Sequence, residues 1–247
     1  SEQYTDYSYL TAREGIGIDA VNFFQNMAIG QLQGTYEHLL VAPHTLKTQV
    51  LAMIDTEIEK ARNQQPAEIL MKLNSLTDRK IIDRLQEASS AGVQVRLIIR
   101  GICCLLPGIP GYTEQVEVHS IVGRYLEHAR VYCFGSGPYQ RIFISSADMM
   151  TRNTEKRVEV ACPIYEERLK QRILSDLRVM WSDNVKARRL QSDGSYARLP
   201  QSGERIDSQD QLMRTAILAA EDASRKQSEE KESLWERVHH RLFSQKK

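Results

Sequence analysis

Residues 67–101 of the chain read AEILMKLNSLTDRKIIDRLQEASSAGVQVRLIIRG. Aliphatic residues predominate in 67–73 and 93–99, which predicts two strands, and 78–89 between them carries apolar residues at helical spacing. Gly92 and Gly101 bound the second strand. This strand–helix–strand unit predicts a largely parallel sheet covered by helices, in which a ligand binds beyond the carboxyl ends of the strands.

The same alternation extends to both sides of this unit. Apolar spacing predicts further helices at 18–32, 45–62 and 166–181, and further strands at 38–41, 130–134, 141–145 and 157–162. Residues 101–111 are predicted to be an irregular loop at the end of a strand, because they contain Pro107, Gly108, Pro110 and Gly111. Loops in this position often carry function.

The carboxyl-terminal part differs in composition. Residues 191–208 are rich in Ser, Gln, Gly and charge, which predicts a linker, and 209–220 and 233–243 are predicted to be helical. The last segment places Leu234, Trp235, Val238 and Leu242 along one face. That face either packs on protein or lies on a membrane surface.

The whole chain has 247 residues, 41% of them hydrophobic, with 33 Lys and Arg against 32 Asp and Glu. This composition predicts a globular core, and the net charge of +1 leaves polyanion binding to local basic clusters. The 4 cysteines lack the spacing of a zinc site and the density of a disulfide-stapled domain, so reduced thiols are expected. No window has the roughly 18–20 apolar residues of a membrane span, and the start lacks the layout of a signal peptide. We therefore expect a soluble, cytoplasmic protein.

Two polar residues stand out in the strand at 67–73 and just after it. Lys72 and Asn74 share one face near the carboxyl end, and Ile69, Met71 and Leu73 take the other face. A buried Lys at this place needs an anion or a carboxylate beside it, unless it extends to solvent at the strand end.

Arg100 ends the strand at 93–99 and directly precedes the Gly/Pro loop. Its rigid guanidinium suits bidentate contact with phosphate, and Gly101 would let a ligand approach the backbone. The alternative is a surface arginine at a strand end.

His128 lies immediately before the strand at 130–134, beside Arg130. A neutral imidazole can attack phosphorus, its protonated form can act as a general acid, and a nearby Arg would stabilise phosphoryl charge. The alternative is a structural histidine. Arg157 and Glu159 are predicted to share one strand face, either as a plain ion pair or to orient a neighbouring His or Arg. The other histidines show no metal-ligand pattern: His38, His44, His119, His239 and His240.

Several segments together resemble the carboxyl-terminal part of bacterial polyphosphate kinase of the first type. They are Tyr4-Thr5-Asp6, residues 95–101, residues 120–128 (SIVGRYLEH), residues 145–150 (SSADMM) and residues 157–160 (RVEV). The likeness covers about residues 1–190, in order. It implies paired phospholipase D-like α/β domains that reversibly transfer the terminal phosphate of ATP to polyphosphate through a phosphohistidine, with Mg²⁺.

The resemblance also implies roles for individual residues. Tyr4, Arg100 and His128 match nucleotide-contacting positions of the family, and His128 matches its second active-site histidine. The phosphorylated histidine and the arginines associated with magnesium match nothing between Ser1 and the end of the chain, so no metal site is expected in this chain. Lys72, Asn74 and Arg130 are candidate phosphate contacts.

Two rival functions remain open. A phospholipase D-like phosphodiesterase or nuclease needs His-x-Lys with an Asp five residues after the Lys, but here His128 is followed by Ala129, Arg130 and, at the Asp position, Gly135. The other rival is a non-catalytic module that binds polyphosphate or nucleotide.

The expected fold is a phospholipase D-like mixed sheet flanked by helices, with a helical carboxyl-terminal tail. Because the chain opens with Ser1 rather than Met, we expect it to be part of a longer protein. Residues 1–38 would end an upstream catalytic domain, 39–190 would form the last one, and 191–247 would be linker and tail. The expected partners are ATP or ADP, polyphosphate and further copies of the chain, with no nucleic acid; peripheral membrane association is an open alternative.

Overall fold

The computed structural model describes residues 4–31, 33–201 and 203–243, with side chains described as far as residue 226. Within this part of the chain, eleven strands alternate with six α-helices and one short 3₁₀ helix, at Gly137–Tyr139. The strands are β1 (Tyr4–Thr5), β2 (Leu40–Ala42), β3 (Glu68–Leu73), β4 (Gln94–Ile99), β5 (Val116–Ile121), β6 (Leu126–Glu127), β7 (Arg130–Phe134), β8 (Arg141–Ser145), β9 (Glu159–Ile164), β10 (Ala187–Leu190) and β11 (Tyr196–Arg198). The helices are α1 (Glu14–Ala28), α2 (Leu46–Arg62), α3 (Arg79–Ser90), α4 (Thr151–Glu155), α5 (Glu167–Trp181) and α6 (Ser208–Phe243).

Nine of the strands form one mixed sheet in the order β11-β10-β5-β4-β3-β7-β8-β9-β2. Only β3, β4 and β5 pair in parallel, and every other neighbouring pair in this sheet is antiparallel. The prediction of a mixed sheet flanked by helices is confirmed, and the narrower expectation of a largely parallel sheet is wrong. The links after β7 and β8 carry at most a short helix, and such links favour antiparallel neighbours.

A second, two-stranded sheet joins the start of the chain to its middle. β1 pairs in parallel with β6, with Tyr4 opposite Leu126 and Thr5 opposite Glu127. The amide of His128 continues this ladder by donating to the carbonyl of Thr5 at 3.0 Å. The segment around residues 4–6 is thereby held against the residues that lead into β7.

Two hydrophobic cores lie on opposite faces of the large sheet. On one face, α2 and α3 pack on β3 and β4, with Ile54, Leu85 and Leu97 fully buried. On the other face, α5 covers the sheet through residues that include Leu177, which packs near Val131. The predicted division of β3 holds, since Ile69, Met71 and Leu73 all belong to the first core. The central strands are therefore buried on both faces, as parallel strands require.

Several predicted boundaries need correction. The first helix was expected at 18–32 but runs over Glu14–Ala28, because Gly30 takes a positive φ of 71° that ends it. The strand expected at 157–162 is Glu159–Ile164, so Arg157 lies outside it. β5 was not predicted as a strand, although its alternation of Val116 and Val118 with polar residues is that of one.

The region expected to be linker contains structure of its own. β10 and β11 form an antiparallel hairpin whose turn includes Gly194, and β10 also pairs with β5. The two helical segments expected after it are one continuous helix, α6, which confirms the helical tail. The face formed by Leu234, Trp235, Val238 and Leu242 falls outside the described side chains. Among the described residues, none of the helices combines the length and apolar character that crossing a bilayer requires.

Candidate functional site

The candidate site lies where β3 and β4 end and β7 begins. These three strands are neighbours in the sheet, so Asn74, Arg100 and Arg130 reach the same edge of it. β1 and β6 add Tyr4 and the residue after β6, His128. The structure thus brings together all of the residues that the sequence singled out as nucleotide or phosphate contacts.

The imidazole of His128 lies between an acidic and a basic side chain. Its Nδ1 is 2.8 Å from Oδ2 of Asp6, and Nη1 of Arg130 lies 3.0 Å from Nε2 and 3.3 Å from Nδ1, close to both ring nitrogens. Because a carboxylate can only accept, Asp6 assigns the proton of the neutral ring to Nδ1 and leaves Nε2 as the acceptor. The side chain is 35% exposed, which leaves it open to a ligand.

Arg130 is held by the carboxylate of Asp148. Its Nη2 donates to Oδ2 of Asp148 at 3.1 Å, and both side chains are largely buried. The other oxygen of Asp148 accepts the backbone amides of Asn74 and Ser75, at 2.6 and 3.1 Å. Asp148 therefore fixes the end of β3 and the guanidinium of Arg130 together. We call Asp6, His128, Arg130 and Asp148 the His128 cluster.

Arg100 is oriented by the two segments that flank it. Its Nε donates to Oδ1 of Asn74 at 2.6 Å and to the carbonyl of Glu127 at 2.9 Å. The terminal Nη1 and Nη2 take part in neither of these two bonds. Gly101 is needed for a different reason than expected, because a Cβ there would lie 2.7 Å from the carbonyl oxygen of Asn74.

Lys72 meets a carboxylate of the protein itself. It is 1% exposed, and its Nζ lies 3.3 Å from Oε2 of Glu127 and donates to the carbonyl of Ala129 at 3.1 Å. Burial lowers the pKa of the ammonium below its usual value, and the charge of Glu127 opposes that shift. Of the two partners expected for Lys72, an anion or a carboxylate, the structure provides the carboxylate.

The start of the chain supplies an aromatic ring and an acid to the site. The ring of Tyr4 meets that of His128 edge to face, with centroids 5.2 Å apart, and Tyr4 is 54% exposed. The hydroxyl of Thr5 donates to Oε2 of Glu127 at 3.0 Å. Through these contacts β1 carries Asp6 to Nδ1 of His128.

The pair expected between Arg157 and Glu159 does not form in this way. Arg157 is exposed and precedes β9, whereas Glu159 is buried and accepts from Nδ2 of Asn153 at 2.6 Å and from the hydroxyl of Ser146 at 2.5 Å. Glu159 therefore holds the turn that follows β8. That turn leads into Asp148 of the His128 cluster.

Two clefts adjoin the cluster. One, of about 330 Å³, has His128, Arg130, Ser145 and Ser146 in its wall. The other, of about 410 Å³, lies on the far side of β1 and includes Tyr4 and residues of α5 and α6. His128 faces the first cleft and Tyr4 the second, with Asp6 common to both.

The other histidines whose side chains are described lie outside the His128 cluster. His119 is buried and stacks on Trp181 with centroids 4.0 Å apart, which is a structural role. The side chains of His239 and His240 fall outside the described ones. Within the part of the chain that the structure describes, no group of three or more His, Cys, Asp or Glu side chains could hold a metal ion.

Sequence reasoning missed three acids of the site. Asp6 and Asp148 lie inside segments that carried the family resemblance, and Glu127 directly precedes His128. Their partners are 122, 18 and 55 residues away in sequence, so no local pattern indicated the pairing.

The fold is that of a mixed α/β protein, and a polar site lies at the ends of its strands. The site contains one histidine with an assigned acceptor nitrogen, two arginines held by fixed partners, and an exposed aromatic ring. A family model described as polyphosphate kinase C-terminal domain 2 matches residues 39–210. The chain belongs to that family.

Individual relatives agree with this assignment. The chain is 46% identical over 214 residues to polyphosphate kinase of Bacillus anthracis, and 46% identical over 215 residues to that of Lactiplantibacillus plantarum. Each alignment covers 86% of this chain and 30% of the relative. The crystal structure of polyphosphate kinase from Porphyromonas gingivalis superimposes with a TM-score of 0.80 and 34% identity, covering 86% of this chain and 33% of that one. The chain thus spans about a third of the length of the proteins that it matches.

Proposed function

We propose that this chain is the carboxyl-terminal catalytic part of an ATP:polyphosphate phosphotransferase. The complete enzyme would transfer the terminal phosphate of ATP reversibly to inorganic polyphosphate through a phosphohistidine. The observation that carries the proposal is the His128 cluster, in which Nε2 of His128 lies 3.0 Å from Arg130 at the open edge of the sheet. Membership of the polyphosphate kinase family supports the choice of substrates.

Phosphoryl transfer depends on positioning and on stabilising charge, because the transition state is loose and its charge lies on the phosphoryl oxygens. Arg100 is suited to hold phosphate oxygens through Nη1 and Nη2, since its Nε is already bonded within the protein. Arg130 lies on the other side of the site and is locked by Asp148. The two cations would bind the reacting phosphate from different strands.

His128 would exchange a proton with the reacting group. Asp6 orients the ring through Nδ1, so that Nε2 can take a proton from the attacking group or return one to the leaving group. Tyr4, exposed beside His128, would stack on the base of the nucleotide or bond to it. Lys72 and Asn74 help to hold the site in place. Asn74 bonds to Arg100, and Lys72 pairs with Glu127, the residue before His128.

The proposal also includes Mg²⁺ and a phosphorylated histidine, neither of which is assigned to a residue of this chain. When bound, Mg²⁺ would neutralise charge on the phosphates of the nucleotide. The chain's own contribution is to bind, orient and exchange a proton at Nε2 of His128. We further propose a cytoplasmic homo-oligomer, with peripheral association with the membrane as the alternative location.

Replacement of His128 tests the proposal. In the complete protein, His128→Ala should lower polymer synthesis about a hundredfold or more, since a positioned acid–base group contributes on that order. The matched control is His44→Ala, because His44 is exposed and lies outside the site. Synthesis is measured from ATP and polyphosphate, and the circular dichroism spectrum checks that the fold persists. Near-normal synthesis by the folded variant would reject the role of His128.

A second assay separates this function from phosphodiester hydrolysis. The wild-type protein should exchange phosphate between ATP and polyphosphate and leave bis(para-nitrophenyl) phosphate intact. Turnover of the diester without exchange would instead favour a phospholipase D-like phosphodiesterase. The sequence argues against diester hydrolysis, because Arg130 and not Lys lies two residues after His128 and Gly135 occupies the place of the required Asp.

A further inference from the structure

Gln209, the second residue of α6, is buried beside the site although it belongs to the carboxyl-terminal helix. It is 6% exposed, and its Oε1 accepts the amide of Tyr125 at 3.0 Å. Its Nε2 donates to the carbonyl of Tyr125 at 2.9 Å and to Oε1 of Glu127 at 2.8 Å. Only an amide can make this set of bonds, because one end must accept while the other donates.

The surroundings of Gln209 fit it closely. A Cβ on Gly123 would lie 2.4 Å from Oε1 of Gln209, so a larger residue at 123 would displace the amide. On the other side, Ser208 is held by the carboxylate of Asp183, which accepts its amide at 2.8 Å and its hydroxyl at 2.6 Å. The start of α6 therefore cannot move away from Tyr125 without breaking buried bonds.

Glu127 passes this constraint on to the site. Its Oε1 accepts a hydrogen bond from Gln209. Its Oε2 accepts one from the hydroxyl of Thr5 and forms an ion pair with the ammonium of Lys72. Its backbone carbonyl accepts Nε of Arg100, and the next residue is His128. A shift of Glu127 would therefore move His128 and release Arg100 at the same time.

We propose that Gln209 is a positioning residue that holds the segment 125–128, and with it the imidazole of His128, in register with the reacting phosphate. The inference rests on the proposed function for its catalytic consequence, and on the contacts of Gln209 alone for its structural one. It adds the first turn of α6 to the residues that position His128.

The test compares Gln209→Met with Gln211→Met in the complete protein. Methionine keeps the length of the side chain and removes all three bonds, while Gln211 is exposed on the same helix and serves as the matched control. We expect Gln209→Met to lower kcat by about ten- to a hundredfold, as misplacement of a reacting group does, with the KM for ATP changed by less than about threefold. Amide hydrogen exchange should rise within 125–128, and Gln211→Met should change neither quantity.

A wild-type kcat in Gln209→Met would overturn the inference, whether or not exchange rises at 125–128. Faster exchange in β3 and β4 as well, with activity lost in proportion to the unfolded fraction, would also overturn it, because the effect would then be global destabilisation. If the wild-type protein transfers no phosphate from ATP to polyphosphate, the proposed function fails. In that case the exchange data still decide whether Gln209 holds the segment that carries His128.

Discussion

The ion pair between Lys72 and Glu127 shows how a single residue of the site is tied to the interior. Their side chains are 1% and 6% exposed, and the carboxylate of Glu127 also accepts hydrogen bonds from Thr5 and Gln209. A buried ion pair adds little net stability, because desolvation offsets the attraction, but removing one partner leaves an uncompensated charge in the interior. The structure therefore gives Lys72 a structural role in the site, through its ion pair with Glu127. Its contact with phosphate stays a prediction.

Replacing Lys72 separates these two roles. Lys72→Met should destabilise the protein by about 3–5 kcal/mol, because it strands the carboxylate of Glu127. The double variant Lys72→Met/Glu127→Gln should recover most of that loss, since no buried charge is left. Urea unfolding of the three proteins gives the free energies, and Arg79→Met, at the exposed pair with Asp83, should leave the unfolding midpoint unchanged. Equal stability of Lys72→Met and the wild type would contradict this account.

The sequence predicted the members of the site better than their partners. Lys72, Arg100 and His128 could be found because a cation or an imidazole next to a buried strand end demands a partner. Which partner it receives depends on the sheet order, and β7 lies beside β3 rather than beside β6. For that reason Glu127 and Asp148 could not be assigned to Lys72 and Arg130 from the residues alone.

At the scale of elements, the loop between α5 and β10 fastens the carboxyl-terminal helix to the domain. The carboxylate of Asp183 is fully buried and accepts five hydrogen bonds. Oδ1 takes the amides of residues 185–187, and Oδ2 takes the amide and hydroxyl of Ser208. One side chain thereby sets both the start of β10 and the first residue of α6.

Asp183→Asn should therefore be costly. An asparagine keeps one acceptor oxygen and turns an NH₂ group toward donors, which should lower the free energy of unfolding by about 2–4 kcal/mol at neutral pH. Burial raises the pKa of Asp183, but the bonds from Ser208, Lys186 and Ala187 outweigh it and hold the pKa below its usual range.

The pH dependence follows from that shift. Because the folded pKa is lower than the unfolded one, the stabilisation by Asp183 is complete above the ordinary carboxyl value of about 3.9 and is lost as the pH falls through the folded value. The difference in the free energy of unfolding between the wild type and Asp183→Asn should become smaller below about pH 4. Urea titrations at several pH values measure it, with Glu114→Gln at an exposed position before β5 as the control. A difference that widens with acid would contradict the assignment.

Elements with strong periodicity were predicted well, and those built on tertiary contacts were not. The predicted α2, β3, α3 and β4 match the structure to within about a residue at each end, because each alternates or repeats on one clear face. The hairpin of β10 and β11 has an all-exposed second strand, so it offers no apolar alternation to detect. Its register comes from pairing with β5 at the sheet edge.

At the scale of the whole molecule, the balance of charge is repeated inside the site. The net charge is +1, and the cations of the site, Lys72, Arg100 and Arg130, are accompanied by three carboxylates. Those carboxylates are Asp6, Glu127 and Asp148. The site of this chain alone therefore presents little uncompensated positive charge to a polyanion.

The chain on its own should consequently bind its substrates weakly. We expect calorimetry with polyphosphate and with ATP to give weak binding, and a turnover assay on the same sample to give no polymer. Raising the ionic strength should weaken the polyphosphate complex further, since its exposed charges are screened. Measurable synthesis of polymer by the 247-residue chain would contradict this expectation.

The pairing of β1 with β6 has a consequence for the time course of folding. It joins Tyr4 to Leu126 across 122 residues, whereas the pairings of the nine-stranded sheet, apart from that of β2 with β9, join strands closer in sequence. Contacts between distant segments form late, because the loop that they close must first lose its freedom. Asp6 should therefore reach His128 late in folding, after most of the domain has condensed. A newly synthesised molecule would then have a native circular dichroism spectrum before the imidazole of His128 takes its final position.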